Sequence, residues 1–132
     1  MNQFTPGWAV LALVAQLVAL PDAALTPGTV RLLSKEEICA TKWGLDRRLV
    51  SLRMKQHVAR AYNIQWAERD QYEFDHLIPR SLGGADDILN LWPQRWAEAR
   101  KKDAQEVRLS RAMCRNEVSL RAAQTQMRRW GR

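Results

Sequence analysis

Histidine and cysteine are scarce in this chain, with two of each in 132 residues, and no pair of cysteines stands at C-x-x-C spacing. That argues against a structural zinc site, which draws its thiolate and imidazole ligands from such spacings. Cys39 and Cys114 either pair with each other or lie as buried thiols. Basic residues are absent before Arg31, and the longest apolar run, Trp8 to Leu20, is interrupted by Gln16 and stops at Pro21 and Asp22. That run falls short of the roughly 20 residues a membrane span needs. Its length suits the apolar segment of a secretory leader, although no Lys or Arg precedes it and no clear A-x-A site follows. A non-cleaved apolar arm or a misassigned start is the alternative. Internal repeats and low-complexity tracts are missing too, and a chain this short has no room for two independent cores. The expected organisation is a leader and linker over residues 1–30 and one domain over 31–132.

What the sequence does contain points to a folded, basic domain. Six tryptophans and an apolar fraction of 46% are unlike disordered chains, which are poor in aromatics. All 21 basic residues and all but one of the 14 acidic ones lie from Arg31 onward, leaving an excess of eight positive charges there. Such a balance attracts polyanions, because neutralised phosphates release counterions whatever the base sequence.

Local patterns predict mostly helices. Ser34-Lys35-Glu36-Glu37 has the form of a capping box opening a short helix that carries Ile38 and Cys39 and breaks at Gly44. Val50, Met54, Val58, Ala61 and Tyr62 recur at helical spacing, with Arg53, Lys55 and Arg60 facing outward and His57 at the surface or half-buried. Tyr72 to His76 alternates with period two and reads as a strand. Pro79 and Gly83-Gly84 mark a loop, and a second strand is expected over about Leu89 to Trp92, with Pro93 closing it. A long helix is expected from Trp96 to Cys114, its apolar stripe running through Trp96, Ala104, Val107 and Cys114. Asn116 or Ser119 caps a last helix with Leu120, Ala123, Met127 and Trp130 on one face.

The chemistry concentrates between the strands, in Asp75-His76-Leu77-Ile78-Pro79, Gly83-Gly84 and Asn90-Leu91-Trp92-Pro93, followed by Lys102-Asp103. A histidine can activate water near neutral pH, and an adjacent carboxylate can hold a cation against a phosphate. These residues resemble the HNH (ββα-metal) nucleases, and within them a subgroup of small, often exported proteins; the resemblance extends from about Thr26 to Trp130. It implies a mainly α protein with a small β-hairpin, in which a ββα-metal finger is embedded among helices. It further implies His76 as general base, Asp75 as metal ligand, and Asn90 holding the loop and orienting the base. The family takes a further ligand from the helix after the second strand, and the sequence departs from the pattern there, because no histidine follows His76. Glu98 stands near the family position, and Asp103 is its rival on the helical wheel.

The expected activity is metal-dependent endonucleolytic hydrolysis of DNA, with RNA as the alternative substrate and low sequence specificity. The cofactor would be one divalent ion, magnesium before manganese or zinc, since a carboxylate site is hard and oxygen-rich. Arg80, Arg95, Arg100, Lys101 and Lys102 are candidates for holding phosphates, although a charge run on a helix is commonly a solvated face. Trp92 and Trp96 are read as core rather than as stacking platforms. A monomer with no stable membrane partner once the leader is removed is expected. The rival reading is a nucleic-acid-binding module of the same build with weak or no turnover. Behind an export leader, Cys39 and Cys114 are expected to form a disulfide; in a cytoplasmic protein they would remain thiols.

Overall fold

In the computed structural model, residues 21–46 and 48–132 are described, and the leader predicted over 1–20 lies outside them. The order is a short helix α1 (Lys35–Ala40), a helix α2 (Leu52–Ala61), strand β1 (Tyr72–His76), strand β2 (Leu91–Arg95), a long helix α3 (Trp96–Cys114) and a final helix α4 (Leu120–Arg128), with short 3-10 turns before β1 and between the strands. This is the helix-rich fold with one small antiparallel hairpin that the sequence predicts. No helix among the described residues is long and apolar enough to cross a membrane.

Local chemistry explains where the helices start and stop. Ser34 caps α1 with the full capping box, its Oγ accepting from the Glu37 amide while Glu37 accepts from the Ser34 amide. Ser119 caps α4 by accepting from the Ala122 amide. Asn116, the other cap candidate, instead ends α3 in the left-handed region with φ 62°. The Glu117 amide then returns to the Ala112 carbonyl, a closure for which asparagine is one of the few tolerated side chains.

Two predicted elements differ from those observed. β2 runs through Pro93, which lies opposite Phe74, rather than ending there. A two-stranded sheet leaves both strands as edges, where the missing proline N–H costs no ladder bond. On α3 the buried positions are Ala99, Lys102, Leu109 and Met113, whereas Trp96 and Val107 are 56% and 48% exposed. The expected stripe through Trp96, Ala104, Val107 and Cys114 is therefore on the wrong side of the helix. Trp92 is core as expected, while Trp96 lies at the surface with Nε1 donating to the Asp70 carbonyl.

The core has two parts. Val58, Ala59, Tyr62, Ile64, Tyr72, Leu77, Leu91 and Trp92 form one cluster. Ile38, Ile78, Leu82, Leu109, Met113, Ala123 and Met127 form the other. The loop after β1 joins them, since consecutive residues Leu77 and Ile78, both fully buried, go one to each. The predicted linker is also packed: Thr26 is fully buried, its Oγ1 2.6 Å from the Tyr62 hydroxyl. The Arg31 amide donates to the Gly83 carbonyl, and Val30 bridges to Gly84. The packed chain thus begins before residue 31.

Cys39 and Cys114 form a disulfide with Cα atoms 5.8 Å apart, tying α1 to the end of α3 across 75 residues. Closing a loop of that length restricts the unfolded chain and is worth on the order of 4 kcal/mol at most. Replacing both cysteines by serine is expected to lower the unfolding free energy by about 2 to 4 kcal/mol, read from denaturant midpoints; an unchanged midpoint would show that the bridge adds nothing to stability.

Candidate functional site

β1 delivers Asp75 and His76 side by side. By the strand register, Glu73, Asp75, Trp92 and Gln94 share one face of the hairpin, and Tyr72, Phe74, His76, Leu91 and Pro93 share the other. Both Asp75 and His76 nevertheless line one cavity of about 290 Å³ at the end of the strand, together with Glu73, Asp103, Glu106 and Arg48.

His76 is buried, and its Nε2 lies 2.7 Å from Oδ1 of Asp86. Burial pulls the imidazole pKa below its ordinary value, against the upward pull of Asp86, which favours the neutral ring. Burial pushes the Asp86 carboxyl up, but the Leu49 amide at 2.9 Å, His76 and Arg80 outweigh it and hold the group below the usual range. An ionised Asp86 can only accept, so Nε2 carries the proton and the imidazole lone pair lies on Nδ1. Nδ1 is the nitrogen able to take up a further proton.

On the other face, the Lys102 ammonium has no solvent exposure at all. It lies 2.7 Å from Asp75 Oδ2, donates to the His76 carbonyl at 2.7 Å, and pairs with Glu106. Burial pulls the Lys102 pKa down, but Asp75 and Glu106 outweigh it and hold it above the ordinary lysine value. Burial pushes the Glu106 carboxyl up to about 7 against the pull of Lys102. Glu73 is raised as well, by burial and then by the charges of Asp75 and Asp103. The cavity wall is thus rich in carboxylate, with Lys102 as its buried counter-charge.

Asn90 is fully buried and closes the loop between the strands. Its Oδ1 accepts from the Ile78 amide, and its Nδ2 donates to the Ile78 and Ala85 carbonyls, each at 3.0 Å. Gly84 completes the closure because a Cβ there would stand 1.7 Å from the Ile78 carbonyl oxygen. Asn90 therefore holds the loop as expected, but the side chain that meets the histidine ring is Asp86.

The remaining candidates scatter. Asp103 shares the cavity, while Glu98 lies outside it, 3.5 Å from Lys101 on the exposed side of α3. Lys102 is corrected from a phosphate contact to an internal ion-pair partner, because a fully buried ammonium cannot reach a ligand backbone. Arg80 is also buried, paired with Asp46 and with Asp86 at 3.2 Å, its guanidinium 5.6 Å from the Trp43 ring. Arg95 lies 5.6 Å over the Tyr72 ring, and Arg100 and Lys101 are exposed. Sequence reasoning missed Asp86, Glu73, Glu106 and Arg48. The acidic pair Asp86-Asp87 beside the glycines was the available signal, and the two residues divide the work: Asp87 caps the turn before β2 while Asp86 takes the histidine.

Among the described residues no three His, Cys, Asp or Glu side chains converge as a closed metal cage. The chain matches no protein-family model, no curated protein and no solved structure in the comparisons made.

Truncating Asn90 to alanine would strand the buried amide and carbonyl of Ile78 and the half-buried carbonyl of Ala85. Each such group costs about 1 to 3 kcal/mol, so Asn90→Ala is expected to destabilise by about 3 kcal/mol or more. Equilibrium unfolding reads this directly, and a loss below about 0.5 kcal/mol would show that the loop does not depend on the carboxamide.

Proposed function

We propose that the chain is a metal-dependent nuclease of the HNH type, with β1, the glycine loop, β2 and the start of α3 as its ββα finger. The observation that carries this reading is a buried histidine whose Nε2 meets the Asp86 carboxylate at 2.7 Å, at the wall of a carboxylate-lined cavity. His76 would take the proton of the attacking water on Nδ1. Asp86 would stabilise the imidazolium that forms, as a charge placed in advance of the reaction. Asn90 and Gly84 would keep the loop, and Asp86 with it, in register with β1.

The donor set fits a hydrated hard cation held through one or two carboxylates, the way magnesium is usually bound. It fits zinc less well, since zinc calls for several ligands converging on one point. Asp75 would hold the ion, with Asp103 as the one of the two expected helix carboxylates that lines the cavity. When bound, the ion would supply charge neutralisation at the phosphate and the leaving oxygen. DNA is the proposed substrate, with RNA as the alternative, and the basic excess would supply affinity through phosphates with little base readout. Arg48, Arg100 and Lys101 are the cations placed to meet them. The disulfide favours export, where oxidising conditions preserve such bonds, and a monomer suffices because the proposed site is assembled within one chain.

One observation favours a second reading, a binding module without turnover: Asp75, the proposed ligand, is already engaged by Lys102. Incubation with supercoiled plasmid separates the two. The nuclease reading expects nicking that requires magnesium and stops with chelator, and His76→Ala should slow it by about 10² to 10⁴-fold. Gel retardation without nicking, or full activity in His76→Ala, would overturn it.

A further inference from the structure

We propose that Lys102 is a resident cation that occupies one side of Asp75, so that a divalent ion meets Asp75 through its other carboxylate oxygen and is held weakly. This rests on the reading of Asp75 as a metal ligand. It adds a residue that sets the affinity of the site without touching the metal.

The Lys102 ammonium makes its contacts inside the protein: it donates to the His76 carbonyl and to Glu106 Oε1 and lies in ion-pair contact with Asp75 Oδ2 at 2.7 Å. It is fully buried on the packed side of α3, so its own N–H groups meet no solvent. The side of α3 packed on Asp75 thus already carries a positive charge. Two consequences follow from electrostatics and geometry. A unit positive charge in contact with Asp75 opposes a second cation there. The three oxygens also surround a single point, which is the arrangement a hard cation would use if the ammonium were removed.

The same arrangement makes Lys102 a positioning residue for His76, because its bond to the His76 carbonyl fixes the end of β1 from the backbone side. Sequence reasoning placed Lys102 among phosphate-binding candidates because its exposure could not be read from composition. Its burial reverses the sign of its expected effect on the cofactor: an exposed lysine would leave metal affinity nearly unchanged, whereas this one should depress it.

The test uses manganese as the probe, with free Mn²⁺ counted by electron paramagnetic resonance during titration of the oxidised full chain. Lys102→Met is expected to bind Mn²⁺ more tightly than the wild type by about tenfold or more, the direction set by removing a contact charge. Lys102→Met combined with Asp75→Asn should lose that gain. Equal or weaker binding by Lys102→Met would overturn the proposal.

Should Lys102→Met not fold without metal, a thermal melt that recovers on adding Mn²⁺ supports the proposal, because the ion then replaces the missing charge. No recovery counts against it. A second measurement needs no variant: the ammonium resonance of Lys102 in ¹⁵N-labelled wild type should persist at saturating magnesium. Its loss would mean that the metal displaces Lys102 rather than sharing Asp75 with it. Plasmid nicking by the wild type with no gain in Lys102→Met removes this inference and leaves the nuclease reading intact. A gain in Lys102→Met from a wild type that never nicks keeps this inference and removes the nuclease reading.

Discussion

The buried charge of Lys102 constrains more of this molecule than any other group. An ammonium without access to water is tolerated only where carboxylates and hydrogen bonds replace its hydration, and removing a partner from such a pair typically costs about 3 to 5 kcal/mol. Lys102 meets the requirement with Asp75 from β1 and Glu106 from one turn further along α3. The helix therefore sits on the hairpin in one register. Since Asp75 and the His76 carbonyl are both bound by the same nitrogen, the register of α3 also sets the end of β1, where the cavity opens.

A second constraint acts from the loop. Leu77 and Ile78 enter different halves of the core where the chain bends after His76. Asn90 satisfies the polar groups exposed by the turn, while Gly84 leaves room for the Ile78 carbonyl. The loop then returns Asp86 to the ring of His76. Packing on one side and charge on the other thus place a buried, oriented imidazole beside a carboxylate cluster, the arrangement from which the nuclease proposal is drawn.

Much of this was legible in the residues, because the signals were local. The Ser34 capping box, the Ser119 cap, the alternating strand from Tyr72 to His76 and the glycine loop each depend on neighbours a few positions away. The cysteine pair was legible from scarcity. The face of α3 was not. Its buried side carries Lys102 and Glu106, charged residues whose mutual pairing hides them from an apolar count, while Trp96 and Val107 misled the count from the exposed side. Pro93 misled in the same way, since only the sheet's having two strands makes a proline harmless there. Asp86 was missed because its role depends on a contact ten residues away across the turn. The burial of Lys102 was not legible either, because it depends on Asp75 from β1 and Glu106 from α3 closing around the ammonium.

The central claim is that His76 acts as the base through Nδ1, and chemical rescue tests it most directly. In His76→Gly the account predicts that plasmid nicking in the presence of magnesium falls to a residual rate, and that added imidazole restores it with saturation, while imidazole leaves the wild type unchanged. Wild-type nicking by His76→Gly in the absence of imidazole would contradict the account.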